Sequence, residues 1–166
     1  MLRINQTTRP RHQSAPQSSE RSGAALVETA FVLPVFLIFL FAMWEFTHAY
    51  MVLNTINAAA TKAARYGVAQ DVTSQQVSDM AATIINNAFN STAATVMVKD
   101  ASVFDETSVD PDSISYGDLP DIELSQADPQ QLFVVHIEVP YDNIAIMPPF
   151  WAKNLTLKGQ AVMRHE

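Results

Sequence analysis

Arg21-Ser22-Gly23-Ala24-Ala25-Leu26-Val27-Glu28-Thr29 opens onto residues 30–44, AFVLPVFLIFLFAMW, a run without a charge. A helix over residues 24–44, at ~1.5 Å per residue, is about 30 Å long, the thickness of a bilayer's hydrocarbon core. The run therefore reads as a transmembrane helix, and Glu28 is the acid at its mouth. A carboxylate near the bilayer centre costs ~2.5–3.5 kcal/mol on insertion scales, so an acid inside a span calls for a functional explanation. Pro34 sits within the run, where it removes one helix hydrogen bond and is expected to kink the span. An incidental bend and a hinge are equally compatible with it.

Working outward, residues 1–23 carry Arg3, Arg9, Arg11 and Arg21 against the single acid Glu20, with almost nothing apolar to bury. They read as a basic, disordered leader. Every other acid lies beyond Gly23, opposed there by Lys62, Arg65, Lys99, Lys153, Lys158 and Arg164. This asymmetry orients the span with the N-terminus cytoplasmic and the remainder, residues 45–166, exported. Of 166 residues, enough then remain for one small domain. The net charge of −7 and the lack of clustered bases in the exported part exclude nucleic acid as a partner. The chain has no cysteine, so thiolate chemistry, disulfides and Cys-ligated metals are excluded together.

Beyond Trp44 no Gly or Pro interrupts the helical pattern until Gly67, so the first helix is expected to continue through residues 45–66, with Trp44 and Tyr50 as headgroup-level anchors. Ala58, Ala59, Ala60, Ala63 and Ala64 leave a slim surface for close packing, either on neighbouring subunits or on the protein's own sheet. Thr73 with Gln76 forms a candidate capping box ahead of Val77, Ala81, Ile84, Ile85 and Ala88 at helical spacing, which predicts a second helix over residues 74–89. β-branched alternation predicts strands near residues 95–99, 132–139 and 155–163, forming a small antiparallel sheet. The fold class is α+β.

Residues 100–128 are acidic and rich in turn formers, and read as a solvated surface loop with a short edge strand at residues 102–104. Calcium is the alternative occupant, without EF-hand spacing to support it. His136 and Glu138 share a strand face, read as half-exposed; the cysteines that a zinc deaminase needs are missing. His48 and His165 are isolated in sequence, and neither a Gly-x-Ser-x-Gly elbow nor a phosphate-cradling glycine loop is present. The reading is a protein that is not an enzyme and takes no cofactor or small-molecule substrate.

A short basic leader, Gly23-Ala24, and Glu28 five residues into an apolar helix resemble the type IV prepilins. The stretch Ser22-Gly23-Ala24-Ala25-Leu26-Val27-Glu28-Thr29-Ala30, with Pro34, Glu45-Phe46 and Ala63-Ala64-Arg65-Tyr66-Gly67, is most similar to TadE-like pseudopilins of tight-adherence (Flp) type IVb pilus systems. Thr29 departs from the Tyr common in the major Flp pilins, and the exported part is longer than theirs. The resemblance implies a pilin-like fold and cleavage between Gly23 and Ala24 by a membrane aspartyl prepilin peptidase. It also implies a bacterial inner-membrane location and partnership with other pilins and the Tad assembly machinery, in pili used for surface attachment. Cutting after Gly23 creates a cationic amine on Ala24, one helical turn from Glu28. Two other readings compete. One is an uncleaved, membrane-anchored acidic binding module, in which Glu28 is merely tolerated by the helix dipole. The other is a secretory signal peptide, disfavoured because the helix continues past Trp44 without a small-x-small cleavage site.

Overall fold

The computed structural model describes residues 18–90, 92–105 and 114–166; residues 1–17 of the leader and 106–113 of the acidic connection lie outside the described residues. The elements run α1 (Ser18–Gly67), α2 (Ser74–Phe89), β1 (Thr95–Asp100), β2 (Leu132–Pro140) and β3 (Thr156–Arg164). This is an α+β chain with one long apolar helix, a second helix and a three-stranded antiparallel sheet of order β1-β2-β3. The described helix begins at Ser18 rather than Ala24. The chain divides into two compact units at Phe41/Ala42.

In the first unit, residues 23–41 are helical and exposed throughout. From Gly23 onward α1 is long and apolar enough to cross a membrane. Pro34 lies inside α1, which continues unbroken on either side of it. Thr29 donates from Oγ1 to the Ala25 carbonyl at 2.8 Å, which satisfies a hydroxyl that an apolar surrounding would otherwise strand.

In the second unit, residues 42–67 of α1 form its spine. Glu45, His48, Ala49, Val52, Ile56, Ala59, Ala60, Ala63 and Ala64 are buried, recurring at three- and four-residue intervals on one face. That face packs with Val77, Ala81 and Ile85 of α2 and with Phe133, Val135, Ile137, Val139 and Leu157 of the sheet. The alanines thus serve the protein's own core, with Ala58 alone among them turned outward. Close approach is required: a Cβ on Gly159 of β3 would meet Ile56 Cγ2 at 2.6 Å and the Asn57 backbone nitrogen at 3.1 Å. Gly67, the last residue of α1, must be glycine for a related reason. It has no left-handed φ, and a Cβ there would meet Leu124 and Val77 at 2.9 Å each.

The α2 boundaries follow from its caps. Thr73 accepts from Gln76 N while Gln76 Oε1 accepts from Thr73 N, and Asn90 closes the helix in the left-handed region with φ 49°. In the sheet, β2 is central, pairing Val98 with Val135 on one side and Val135 with Ala161 on the other. Its alternate residues Val134 and His136 are buried as well, which an exposed second face would not give. The acidic connection covers that face: Val134 packs with Ala101 and Leu119, flanked by Val103, Phe104, Ile114 and Tyr116.

Two sequence expectations are corrected here. Residues 102–104 are not an edge strand but part of a 3-10 turn, Ser102–Asp105. The Asp100 carboxylate accepts from the Ser102 N–H and hydroxyl while Ala101 N donates to Leu132 O, so the chain turns in at once instead of extending along β1. His136 is not half-exposed. It is 3% exposed because Tyr116 stacks on it at 4.8 Å between ring centroids.

Candidate functional site: the Gly23–Glu28 turn and the Glu45 clasp

On the exposed N-terminal part of α1, Gly23 and Ala24 sit one turn before Glu28. An added Cβ at Gly23 would meet no atom within 4 Å, so nothing within the chain requires glycine there. Glu28 is exposed and, among the described residues, has no ion-pair partner. The Ala24 and Glu28 positions share a helix face, since i and i+4 are neighbours. This arrangement offers an unpaired carboxylate beside a peptide bond whose glycine carries no packing duty.

Further along α1, Trp44 and Tyr50 are both exposed, at 56% and 66%. Between them lies a feature that sequence reasoning missed. Glu45, only 8% exposed, turns inward, and its Oε1 accepts from the backbone N–H groups of Phe150, Trp151 and Ala152 at 3.1, 3.1 and 2.6 Å. Three successive amides converging on one carboxylate form an anion nest, which stands in for a cationic partner. One turn away, His48 Nδ1 lies 2.9 Å from the Tyr141 hydroxyl, which donates to the Glu45 carbonyl at 3.3 Å. Burial, and then the negative charge of Glu45, raise the Tyr141 phenol above its ordinary value, which keeps it a neutral donor. The clasp closes a loop over residues 141–155 whose base is tied by Tyr141 N to Leu155 O at 2.8 Å.

The sequence did carry a sign of the clasp. Glu45 and His48 fall on the same helical stripe as Ala49, Val52 and Ile56, so they had to face the core. Their partners, about a hundred residues away, had no sign at all.

On the other sheet face, His136 Nε2 and Lys158 Nζ approach Glu138 Oε1 at 3.1 and 2.7 Å. Hydrogen bonds from Lys158 and then from His136 hold the Glu138 carboxyl below its usual range. With Asn57 and Tyr116 these groups line an open cleft of about 550 Å³. His136 Nδ1 and both His165 ring nitrogens are buried without a partner among the described residues. No group of three or more His, Asp or Glu residues converges on a metal-sized point among those residues either.

Fold and site together define a protein with one apolar N-terminal helix, suited to membrane anchoring, whose distal part is built into an α+β domain. Residues 23–65, about a quarter of the chain, match the family model described as TadE-like protein, so this stretch is similar to that family. No curated protein and no solved structure matches the chain significantly. The matched stretch begins at Gly23 and contains Glu28, Pro34, Trp44, Glu45 and His48, while α2, the sheet and the 141–155 loop lie beyond it.

Proposed function

We propose that the protein is a minor pseudopilin of a Tad (Flp) type IVb pilus system, cut after Gly23 by a prepilin peptidase and acting by helix packing in the bacterial inner membrane or a pseudopilus. Its role is structural and involves no turnover. The observation that carries this reading is the TadE-like match that starts at Gly23, on a helix where Glu28 is exposed and lacks an ion-pair partner. After cleavage, the Ala24 amine lies one turn from Glu28, and the carboxylate pairs with its own N-terminus or with that of a neighbouring subunit. In lipid such a pair relieves the cost of an isolated carboxylate and fixes the axial register between helices. The arginines of the leader, close to the start of the span, support export of residues 45–166.

The test is the intact mass and N-terminal sequence of the membrane-extracted protein, with and without a co-expressed prepilin peptidase. A peptidase-dependent chain starting at Ala24 supports the proposal. Gly23→Val is the control: with open space around Gly23, loss of cleavage in that variant reports on the peptidase and not on folding. An uncut chain in the presence of active peptidase refutes processing and favours the anchored acidic binding module.

A further inference from the structure

The loop over residues 141–155 presents its apolar side outward. Ile146, Met147, Phe150, Trp151 and Leu155 are exposed, Phe150 by 78%, and the tip, residues 146–151, is Ile-Met-Pro-Pro-Phe-Trp without a charge. A soluble surface seldom shows contiguous apolar area of this kind unless something covers it. What covers it here is indicated by where the loop is held. Three of its amides, at Phe150, Trp151 and Ala152, are fixed to the carboxylate of Glu45, the residue directly after Trp44, where the apolar run ends. The tip is thereby pinned at the level along α1 where an apolar helix passes into the headgroup region. Exposed aromatic side chains cluster at that level: Trp44, Phe46 and Tyr50 on α1, and Phe150 and Trp151 on the loop, the last two in an edge-to-face pair at 4.9 Å. Aromatic rings with apolar neighbours are the composition of the membrane–water boundary, and the exposed Lys153 sits at the loop's polar end.

We propose that residues 146–151 form a second membrane contact, seated in the headgroup and upper acyl region of the bilayer that the N-terminal helix enters, with Glu45 as the residue that positions them. This rests on the membrane-anchoring part of the proposed function and is independent of cleavage at Gly23. The loop then fixes the rotation and tilt of the domain on the membrane, which a single helix leaves free.

The chain has two tryptophans, and both are reporters. The full chain is reconstituted in phosphatidylethanolamine–phosphatidylglycerol vesicles with and without lipids brominated high on the acyl chain. Trp44→Phe leaves Trp151 as the emitter, and Trp151→Phe leaves Trp44. The expected result is loss of Trp151 emission with brominated lipid, together with shielding from iodide supplied on both sides of the membrane. The inference is overturned if Trp44 is quenched by brominated lipid and Trp151 is not. Iodide quenching of Trp151 would then place the loop in water, and shielding from both would show that protein, such as a second copy, covers it. If Trp44 also ignores brominated lipid, membrane anchoring itself fails and the inference fails with it.

Discussion

Glu45→Ala removes the acceptor that holds the 141–155 loop. The Ala152 amide, at 2.6 Å and on a residue only 4% exposed, loses a hydrogen bond to a charged group and has no access to water as replacement. Such a bond contributes ~1.5–3 kcal/mol. The Phe150 and Trp151 amides make longer bonds, 3.1 Å each, to the same carboxylate on less enclosed residues, and their loss adds less. Against this, deleting a buried carboxylate relieves its desolvation, which brings the net destabilisation to about 2 kcal/mol. Glu45→Gln keeps one acceptor oxygen and should fall between Ala and the parent. The assay is denaturant unfolding of the detergent-solubilised full chain, joined to amide exchange over residues 144–155. Both variants should speed exchange at residues 150–152 while leaving α2 protected. A Glu45→Ala chain within ~0.5 kcal/mol of the parent, the range of an ordinary surface change, with unaltered exchange at those amides, refutes the clasp.

Gly159→Ala places a methyl 2.6 Å from Ile56 Cγ2 and 3.1 Å from the Asn57 backbone nitrogen, so α1 or β3 must shift, costing ~1–3 kcal/mol and lowering the midpoint of thermal unfolding; an unchanged midpoint contradicts the close helix–sheet approach. Stability should also fall with acid. The carboxyls of Glu138, Glu123 and Asp100 are held below their ordinary values: Glu138 by Lys158 and then His136, Glu123 chiefly by the Ser74 N–H, and Asp100 because hydrogen bonds from Ser102 and Gln131 outweigh its burial. The unfolded chain therefore binds protons first, so their contribution is present above about pH 4 and is lost as the pH drops through the depressed folded values. Thermal melts from pH 7 to pH 3 should show this decline, and Glu138→Gln should flatten it; a flat profile in the parent contradicts the assigned partners.

Much of the architecture was legible because its causes are local. The Thr73–Gln76 box spans three residues, so the sequence reading and the structure agree on α2 at Ser74–Phe89. Side-chain alternation needs only neighbours along one strand, and β1, β2 and β3 fall within a residue of their expected places. An apolar run of membrane length, with an acid at its start, is likewise visible in one dimension, and so was the similarity of residues 23–65 to the TadE-like family.

What only the tertiary structure decided involves partners distant in sequence. Whether the Ala59, Ala60, Ala63 and Ala64 stripe meets another subunit or the protein's own sheet depends on Gly159, which lies about a hundred residues further on. The His136 side was read as half-exposed because alternation cannot reveal that the acidic connection folds back to lay Tyr116 across it. The expected strand at residues 102–104 yields to a 3-10 turn because the Leu132 carbonyl draws Ala101 inward. Glu45 shows the divide most clearly. Its inward direction was written in the helical period, but its counter-group is three backbone amides, which every sequence contains and which only a folded loop can aim at one carboxylate.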